Sequence, residues 1–292
     1  MIDPYLLEEL ATFANTGTLA KTAEQLNVTQ PTVTRGMQKL EEDLGVKLFD
    51  RQPNHIKLTK TGQLAAQEAM TLIQANKQMI DNVRNFDQNQ REIRIGSVIP
   101  GPIIFLKNLL SPETKNRQIS SDLIPADQAA ALLINNAYTG IISNRELASP
   151  NIDSQYLGTE KLAVNLDKFM YHANQSTVSF SELENLSFIV LSDIGPWRDI
   201  IQNEIPGAKF FYQDQREAFS EITKYSDFPY FSSNLSKSDP SFTKQAKEDD
   251  NRVRIPLGDK HAQMKVYFNY LKGQKRRVSP IIKQIKQNWP HQ

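Results

Sequence analysis

Residues 18–45, TLAKTAEQLNVTQPTVTRGMQKLEEDLG, constrain the fold more tightly than any other stretch of the chain. Leu19, Ala23 and Leu26 recur at spacings of four and three, which puts them on one face of a helix. Val33, Met37, Leu40 and Leu44 repeat that pattern after a short break. Thr18 and Thr29 stand at N-cap positions, where a hydroxyl can accept a bond from the orphan amides of a first turn. Pro31 falls within a first turn, where no intrahelical amide is lost. Two short amphipathic helices joined by a tight turn make a helix-turn-helix pattern, whose second helix is the kind that enters a DNA major groove. An ordinary helical hairpin with a solvated polar face would share these spacings, so the neighbouring residues have to decide.

With the apolar stripe of the second helix buried, Gln30, Thr34 and Gln38 line another face, with Arg35 and Lys39 beside them. Gln and Arg pair bidentately with adenine and guanine edges, and Thr meets a thymine methyl. Lys39 is better suited to phosphate, which sets register and not sequence preference. Glu41, Glu42 and Asp43 would repel phosphate, so the N-terminal half of the helix is the part expected to approach DNA. The next segment, Val46 to Gly62, holds two short apolar stretches around Gln52, Pro53 and Asn54, and reads as a small hairpin or wing. It carries Lys47, Arg51, His55, Lys57 and Lys60, a basic set suited to backbone or minor-groove contact. Helix pair and basic wing together point to DNA.

These residues resemble the winged helix-turn-helix of the LysR-type transcriptional regulators of bacteria. The resemblance covers about the first sixty-five residues and rests on FANTGTLAKTA (Phe13 to Ala23), Leu26, Thr29-Gln30-Pro31, Thr34-Arg35, Leu40-Glu41, Leu44-Gly45, Leu48-Phe49, Arg51, and Leu58-Thr59 before Gly62. By position it implies major-groove contacts at Gln30, Pro31, Thr34 and Arg35, with Thr29 and Thr32 adjoining them and Arg51 anchoring the wing. Three residues depart from the family pattern. Thr22 replaces the first alanine of a usual pair, and Thr34 stands where serine is preferred. Gly36 occupies a recognition-helix position usually held by a longer side chain, at a cost of about 1 kcal/mol of helix stability relative to alanine.

A chain of 292 residues exceeds one typical core, so more than one domain is expected. It has no cysteine, which excludes disulfides, thiol redox sensing and thiolate metal sites. Neither a signal-peptide pattern nor a membrane-length apolar run is visible, so a cytoplasmic, membrane-free protein is expected. Charge does not carry the DNA argument in bulk. Residues 1–90 hold nine Lys/Arg against eleven Asp/Glu, and only between Gln30 and Lys60 does the balance turn positive, six against four. Affinity should therefore depend on dimerisation more than on charge.

From Thr61 to about Gln90 there is no proline, and Ala65, Ala69, Leu72, Asn76, Met79, Val83 and Phe86 alternate spacings of four and three. That is a heptad seam, widened by Ala66, Met70, Ile73 and Ile80. The resemblance implies a linker helix that pairs subunits into a homodimer or homotetramer through Leu72, Asn76, Met79, Val83 and Phe86. Asn76 would either fix the register of that pairing or mark a solvated curve in the helix. Packing of the seam against the chain's own domains is the alternative.

After the polar linker Asn85 to Gln90, short strands alternate with helices, implying an α/β architecture. Strand candidates are EIRIGSV, SSDLI, TGIIS, LSFIVL, AKFFYQ, FPYFSS, RVRIPL and MKVYFNYL; helices are expected over Ile103 to Leu110, Ala126 to Asn135, Trp197 to Glu204 and Ser279 to Asn288. The resemblance implies a periplasmic-binding-protein-like effector module of two subdomains crossed by two hinge strands, with hinge candidates at Glu160 to Leu166 and Met264 to Leu271. The expected division is a winged helix-turn-helix over 1–60, a linker helix over 61–90 and an effector-sensing α/β domain over 91–292. Within the last, subdomain I takes about 91–161 and 268–292, and subdomain II about 162–267. Thr139-Gly140 replaces the aspartate-containing turn usual before the third strand, and the region from the hinge to Pro229 reads as polar and irregular.

Small molecules bind outside the carboxyl ends of strands, near helix N-termini. That singles out Ser97, Pro100 and Gly101, Asp127, Ser192, Trp197 and Arg198, and Ser232 as candidate effector contacts. Arg198 is an anionic handle with Trp197 as an apolar wall, or else a surface ion-pair partner beside a core aromatic. His55, His172, His261 and His291 are scattered without metal-ligand spacing, and no phosphate loop or nucleophile elbow is present. No enzyme activity, metal or cofactor is expected. The implied partners are a double-stranded DNA operator, a small-molecule effector and further copies of the chain, with RNA polymerase a further candidate. Two alternatives stand beside this reading: a ligand-independent DNA binder with a degenerate cleft, and a DNA-binding head fused to a small-molecule enzyme.

Overall fold

The computed structural model describes residues 1–52, 55–110, 116–147, 149–238 and 251–290. The chain divides into two compact units, Met1–Arg84 and Asn85–Gln292. The first unit contains helices α1 (Pro4–Thr16), α2 (Leu19–Gln25) and α3 (Gln30–Leu44), then a hairpin of β1 (Phe49–Gln52) and β2 (His55–Leu58). Pro53 and Asn54, at the expected hairpin turn, lie outside the described residues. Thr18 caps α2 as its position suggests, accepting from the Lys21 amide. Thr29 occupies the N-cap of α3 but makes no such bond; its Oγ1 lies 2.8 Å from that of Thr32 instead. Asn27 adopts positive φ, 55°, in the turn between α2 and α3. Val33, Met37 and Leu40 join Leu10, Phe13, Ala23, Leu48 and Phe49 in one buried cluster, while Leu44 at the helix end stays exposed.

Helix α4 runs from Lys60 to Arg91, as the proline-free stretch predicts. Its apolar seam, however, is divided between two tasks. Ala66 and Ala69 are buried in the head's own core, with Ala65 packed against it, so this part follows the intramolecular alternative. Leu72, Met79, Val83 and Phe86 are all exposed, together with Asn76. The stretch expected as a polar linker is helical to its end and anchored. Asn85 Nδ2 donates to the Asn135 carbonyl and Asn89 Nδ2 to that of Asn136, and both residues belong to the second unit. Helix geometry satisfies these backbones better than a loop would, and the asparagines satisfy two carbonyls just past the helix Ala129–Ile134.

In the second unit, β3 (Ile93–Ser97) lies between parallel neighbours β4 (Arg117–Leu123) and β5 (Gly140–Ser143). Helices α5 (Pro100–Leu109) and α6 (Ala129–Ile134) follow β3 and β4. The long strand β6 (Ile152–Asp167) then leads to β7 (Ser187–Leu191), α7 (Trp197–Glu204), β8 (Lys209–Gln213), α8 (Arg216–Tyr225) and β9 (Tyr230–Ser233). The chain closes with β10 (Arg252–Pro256), β11 (Gln263–Leu271) and α9 (Lys275–Gln287). The main sheet has the order β10-β6-β11-β5-β3-β4, with β9 also paired to β6, while β7 and β8 form a separate parallel pair. β6 is the shared spine. Ile152–Lys161 pairs with β11, whereas the stretch from Leu162 to Asp167 pairs with β9 and β10.

One sequence expectation is extended here and another fails. The hinge candidate Glu160 to Leu166 is the C-terminal half of a strand that begins eight residues earlier, at Ile152. The region before Pro229 is not irregular, since it contains α8, an amphipathic helix that buries Thr223 and half-buries Phe219 and Ile222. Thr139, in place of an acidic turn, is buried: its Oγ1 accepts from the Arg94 amide and donates to Asn89 Oδ1. Gly140 lets the Phe268 ring approach so closely that a Cβ would sit 2.2 Å from it. No described helix is long and apolar enough to cross a membrane.

Candidate nucleic-acid interface and ligand cleft

The outer face of α3 presents Gln30, Pro31, Thr32, Arg35, Gln38 and Lys39, all exposed. Thr34 is half-buried and its hydroxyl donates to the Gln30 carbonyl at 3.0 Å, which leaves its methyl free to meet a base. Lys39 forms an i,i+4 ion pair with Asp43 at 3.2 Å, in solvent and therefore exchangeable for phosphate. Glu41 does something the charge count could not foretell. Its Oε1 accepts from the amides of Leu48 and Phe49 at 2.7 and 3.0 Å, and its Oε2 meets Arg51 Nη2 at 3.0 Å. It therefore braces the wing on the recognition helix, and its charge is spent internally and not against phosphate. Arg51 is accordingly tied to Glu41, with its guanidinium 6.0 Å from the Phe49 ring centroid. Lys57 is exposed on β2 opposite Asp50, and His55 pairs with Gln52, its side chain lying outside the described residues.

Gly36 has a local cause. Glu9 on α1 is buried beneath it, and a Cβ at position 36 would fall 1.7 Å from Glu9 Oε2. Burial, and to a smaller degree Asp3, raises the Glu9 pKa to about 6, and its Oε2 has no hydrogen-bond partner. The glycine thus makes room for a carboxyl from a neighbouring helix.

In the second unit, α5, β6, β7, α7, α8 and β9 line a cavity of about 120 Å³. Four sequence candidates meet there: Pro100, Gly101, Trp197 and Ser232. A wider chamber of about 470 Å³ adjoins it, sharing Pro100, Ile104, Leu191, Asp193 and Arg216 and reaching Lys107 and Ser121. The other candidates fall outside both linings. Ser97 Oγ is buried and committed to Ile99 and the Ile142 carbonyl. Asp127 is exposed ahead of α6, and Ser192 is half-buried after β7. Arg198 is exposed with its guanidinium 4.2 Å from the Tyr212 ring centroid, a cation–π contact that holds it on the surface.

The residue that sequence reasoning passed over as a site is Glu160. It lines the cavity, is only 2% exposed, and its Oε2 meets no donor. Burial raises its pKa to about 7, against the smaller opposing pull of Ser233 and Trp197. Gly101, at the start of α5, is what admits it: a Cβ there would lie 2.1 Å from Glu160 Oε1. The signal was present in the alternation Gly158, Glu160, Leu162, Val164, all buried, which puts the carboxyl on an inward face of β6. Burial also raises the pKa of Asp193, with Asp122 adding to it. Among the described residues there is no group of three His, Asp or Glu placed to hold a metal.

The first unit is thus a three-helix head with a braced wing, and the second an α/β unit with a cleft. Residues 5–63 match the model of the bacterial regulatory helix-turn-helix protein, lysR family. The chain is 27% identical over 207 residues to the uncharacterized HTH-type transcriptional regulator YbhD of Escherichia coli (strain K12), spanning 68% of this chain and 62% of that protein. It is 33% identical over 98 residues to the SDS degradation transcriptional activation protein of Pseudomonas sp. (strain ATCC 19151), covering 33% and 32% of the two chains. The chain thus spans less than two thirds of the length of these relatives. Its fold is like that of Vibrio fischeri DarR, solved in complex with DNA, with a TM-score of 0.58, 17% identity and coverage of 97% and 98%. It is also like full-length OxyR C199D from Pseudomonas aeruginosa, with a TM-score of 0.51, 16% identity and coverage of 98% and 95%. The match to the lysR family is thus carried by the head, residues 5–63.

Proposed function

We propose that this chain is a sequence-specific DNA-binding transcriptional regulator of the LysR type whose response is set by a small molecule in the cleft of its α/β unit. The observation that carries this reading is the pairing of an exposed Gln30–Arg35–Gln38 face with a wing fastened to the same helix through Glu41. Fastening fixes the distance between a groove-reading helix and a backbone-contacting hairpin, which turns two weak contacts into one register. Gln30, Thr34 and Arg35 read bases; Thr29, Pro31, Thr32, Gln38, Lys39, Arg51, His55 and Lys57 position the head. Residues 1–60 form the DNA-binding domain, 61–90 the linker and 91–292 the sensing domain.

Leu72, Met79, Val83 and Phe86 are exposed along α4, a row of apolar side chains that a second copy would cover. Dimerisation through this row supplies the affinity that a head with more acids than bases lacks. RNA polymerase is the further partner this reading implies. Footprinting on the DNA flanking the chain's own gene tests the reading: a protected inverted repeat is expected, and uniform cleavage at saturating protein would refute it.

A further inference from the structure

We infer that the inner cavity takes a small ligand with an alkylammonium head on a short branched or cyclic apolar body, the head meeting Glu160 Oε2. The inference rests on the reading of this unit as a ligand sensor and adds the chemical class. Helix N-termini ordinarily receive anions, since their first amides point outward and their dipole favours negative charge. Here that place at the start of α5 is already filled by the chain's own carboxyl, because Gly101 lies directly against Glu160. An anionic ligand would have to sit beside a buried acid, with Asp193 lining the same space. A neutral apolar ligand would leave Glu160 Oε2 without a partner, as it is now.

A cationic donor resolves both problems, by supplying the missing hydrogen bond and a compensating charge. The remaining wall is mainly apolar, with Ile104, Leu162, Ile194 and Phe231, and also carries Ser232, Ser233 and Ser236. At about 120 Å³ the cavity is somewhat smaller than the roughly 150 Å³ engineered cavity that holds benzene, so the body is limited to about four or five carbons. The charged groups facing this space are Asp193 and, from α8, Arg216 at the junction with the outer chamber. Arg254 approaches from β10 and is held through the Ser232 hydroxyl at 3.1 Å.

The test uses the full-length chain and three probes of one carbon skeleton: isobutylamine, isobutanol and isobutyrate, titrated calorimetrically. Isobutylamine is expected to bind at least about tenfold more tightly than isobutyrate. Because Glu160 is pushed up to about 7, amine binding at neutral pH should release about half a proton, read from the heats in two buffers of different ionisation enthalpy. Glu160→Gln, similar in size, should abolish both the preference and the proton release. Tighter binding of isobutyrate, binding of none of the probes, or amine binding without proton release overturns the inference. If the amine binds as described but leaves the operator footprint unchanged, the ligand class stands and the sensing role fails.

Discussion

Replacing Gly101 by alanine tests the packing that makes the cleft what it is. A Cβ at this position lies 2.1 Å from Glu160 Oε1, 2.7 Å from Cδ and 3.0 Å from Oε2. The carboxyl cannot retreat to solvent, since Glu160 is 2% exposed and lies on a strand paired with β11 at this position. Overpacking of this kind costs about 1–3 kcal/mol. Alanine would ordinarily return up to about 1 kcal/mol of helix propensity, but Pro102 follows directly and disfavours helical φ/ψ at its predecessor, so little is recovered. The expected net loss is about 1–3 kcal/mol. Urea unfolding followed by tryptophan fluorescence isolates the relevant unit, because both tryptophans, Trp197 and Trp289, lie within Asn85–Gln292. Adding Glu160→Ala should recover much of the loss, giving a coupling of roughly 1 kcal/mol or more between the positions. A Gly101→Ala chain as stable as the parent would refute the close approach on which the cleft's chemistry depends.

Glu160 also sets a pH dependence. Its folded pKa of about 7 lies above the ordinary 4.5, so the folded state holds the extra proton; its contribution is full below pH 4.5 and lost as pH rises through 7. Relative to its difference from the parent below about pH 4, Glu160→Gln should gain about 3 kcal/mol by pH 8, and a pH-independent difference would contradict this. Glu41→Ala removes the acceptor for two amides and should lower protection of Leu48 and Phe49 by about 1–3 kcal/mol in amide exchange, with undiminished protection the opposing result. Arg35→Ala should weaken specific operator binding by ~1–3 kcal/mol; an equal loss on random DNA would make Arg35 a phosphate contact. Substituting Leu72 and Val83 together by glutamate should yield monomers in sedimentation, and a dimer of unchanged affinity would place the subunit contact elsewhere.

What the sequence disclosed followed the range of the forces involved. Helices α2 and α3 and most strands were legible because their apolar spacing and caps are local. The division of the α4 seam was not, since Ala66 and Ala69 look no different from Leu72 until the head folds around them. The first half of β6 escaped because Asp153, Ser154 and Gln155 interrupt its apolar alternation, and the two halves of the strand find partners far along the chain. α8 was missed because its exposed face is highly polar, and its buried face rests on Thr223, Phe219 and Ile222. The cleft gathers Pro100, Glu160, Trp197 and Ser232 from separate elements, and only folding brings the candidates together and sets Ser97, Asp127 and Arg198 apart. Glu41 is a similar lesson: an acid counted against DNA binding fastens the wing to α3.

The most direct test of the central claim is selection of bound sequences from a pool of random duplex DNA by the full-length chain. Enrichment is expected of an inverted repeat whose half-sites are centred about one helical turn apart or a multiple of it, roughly 10–10.5 bp each. Recovery of unenriched DNA, or of a lone unpaired half-site, would contradict it.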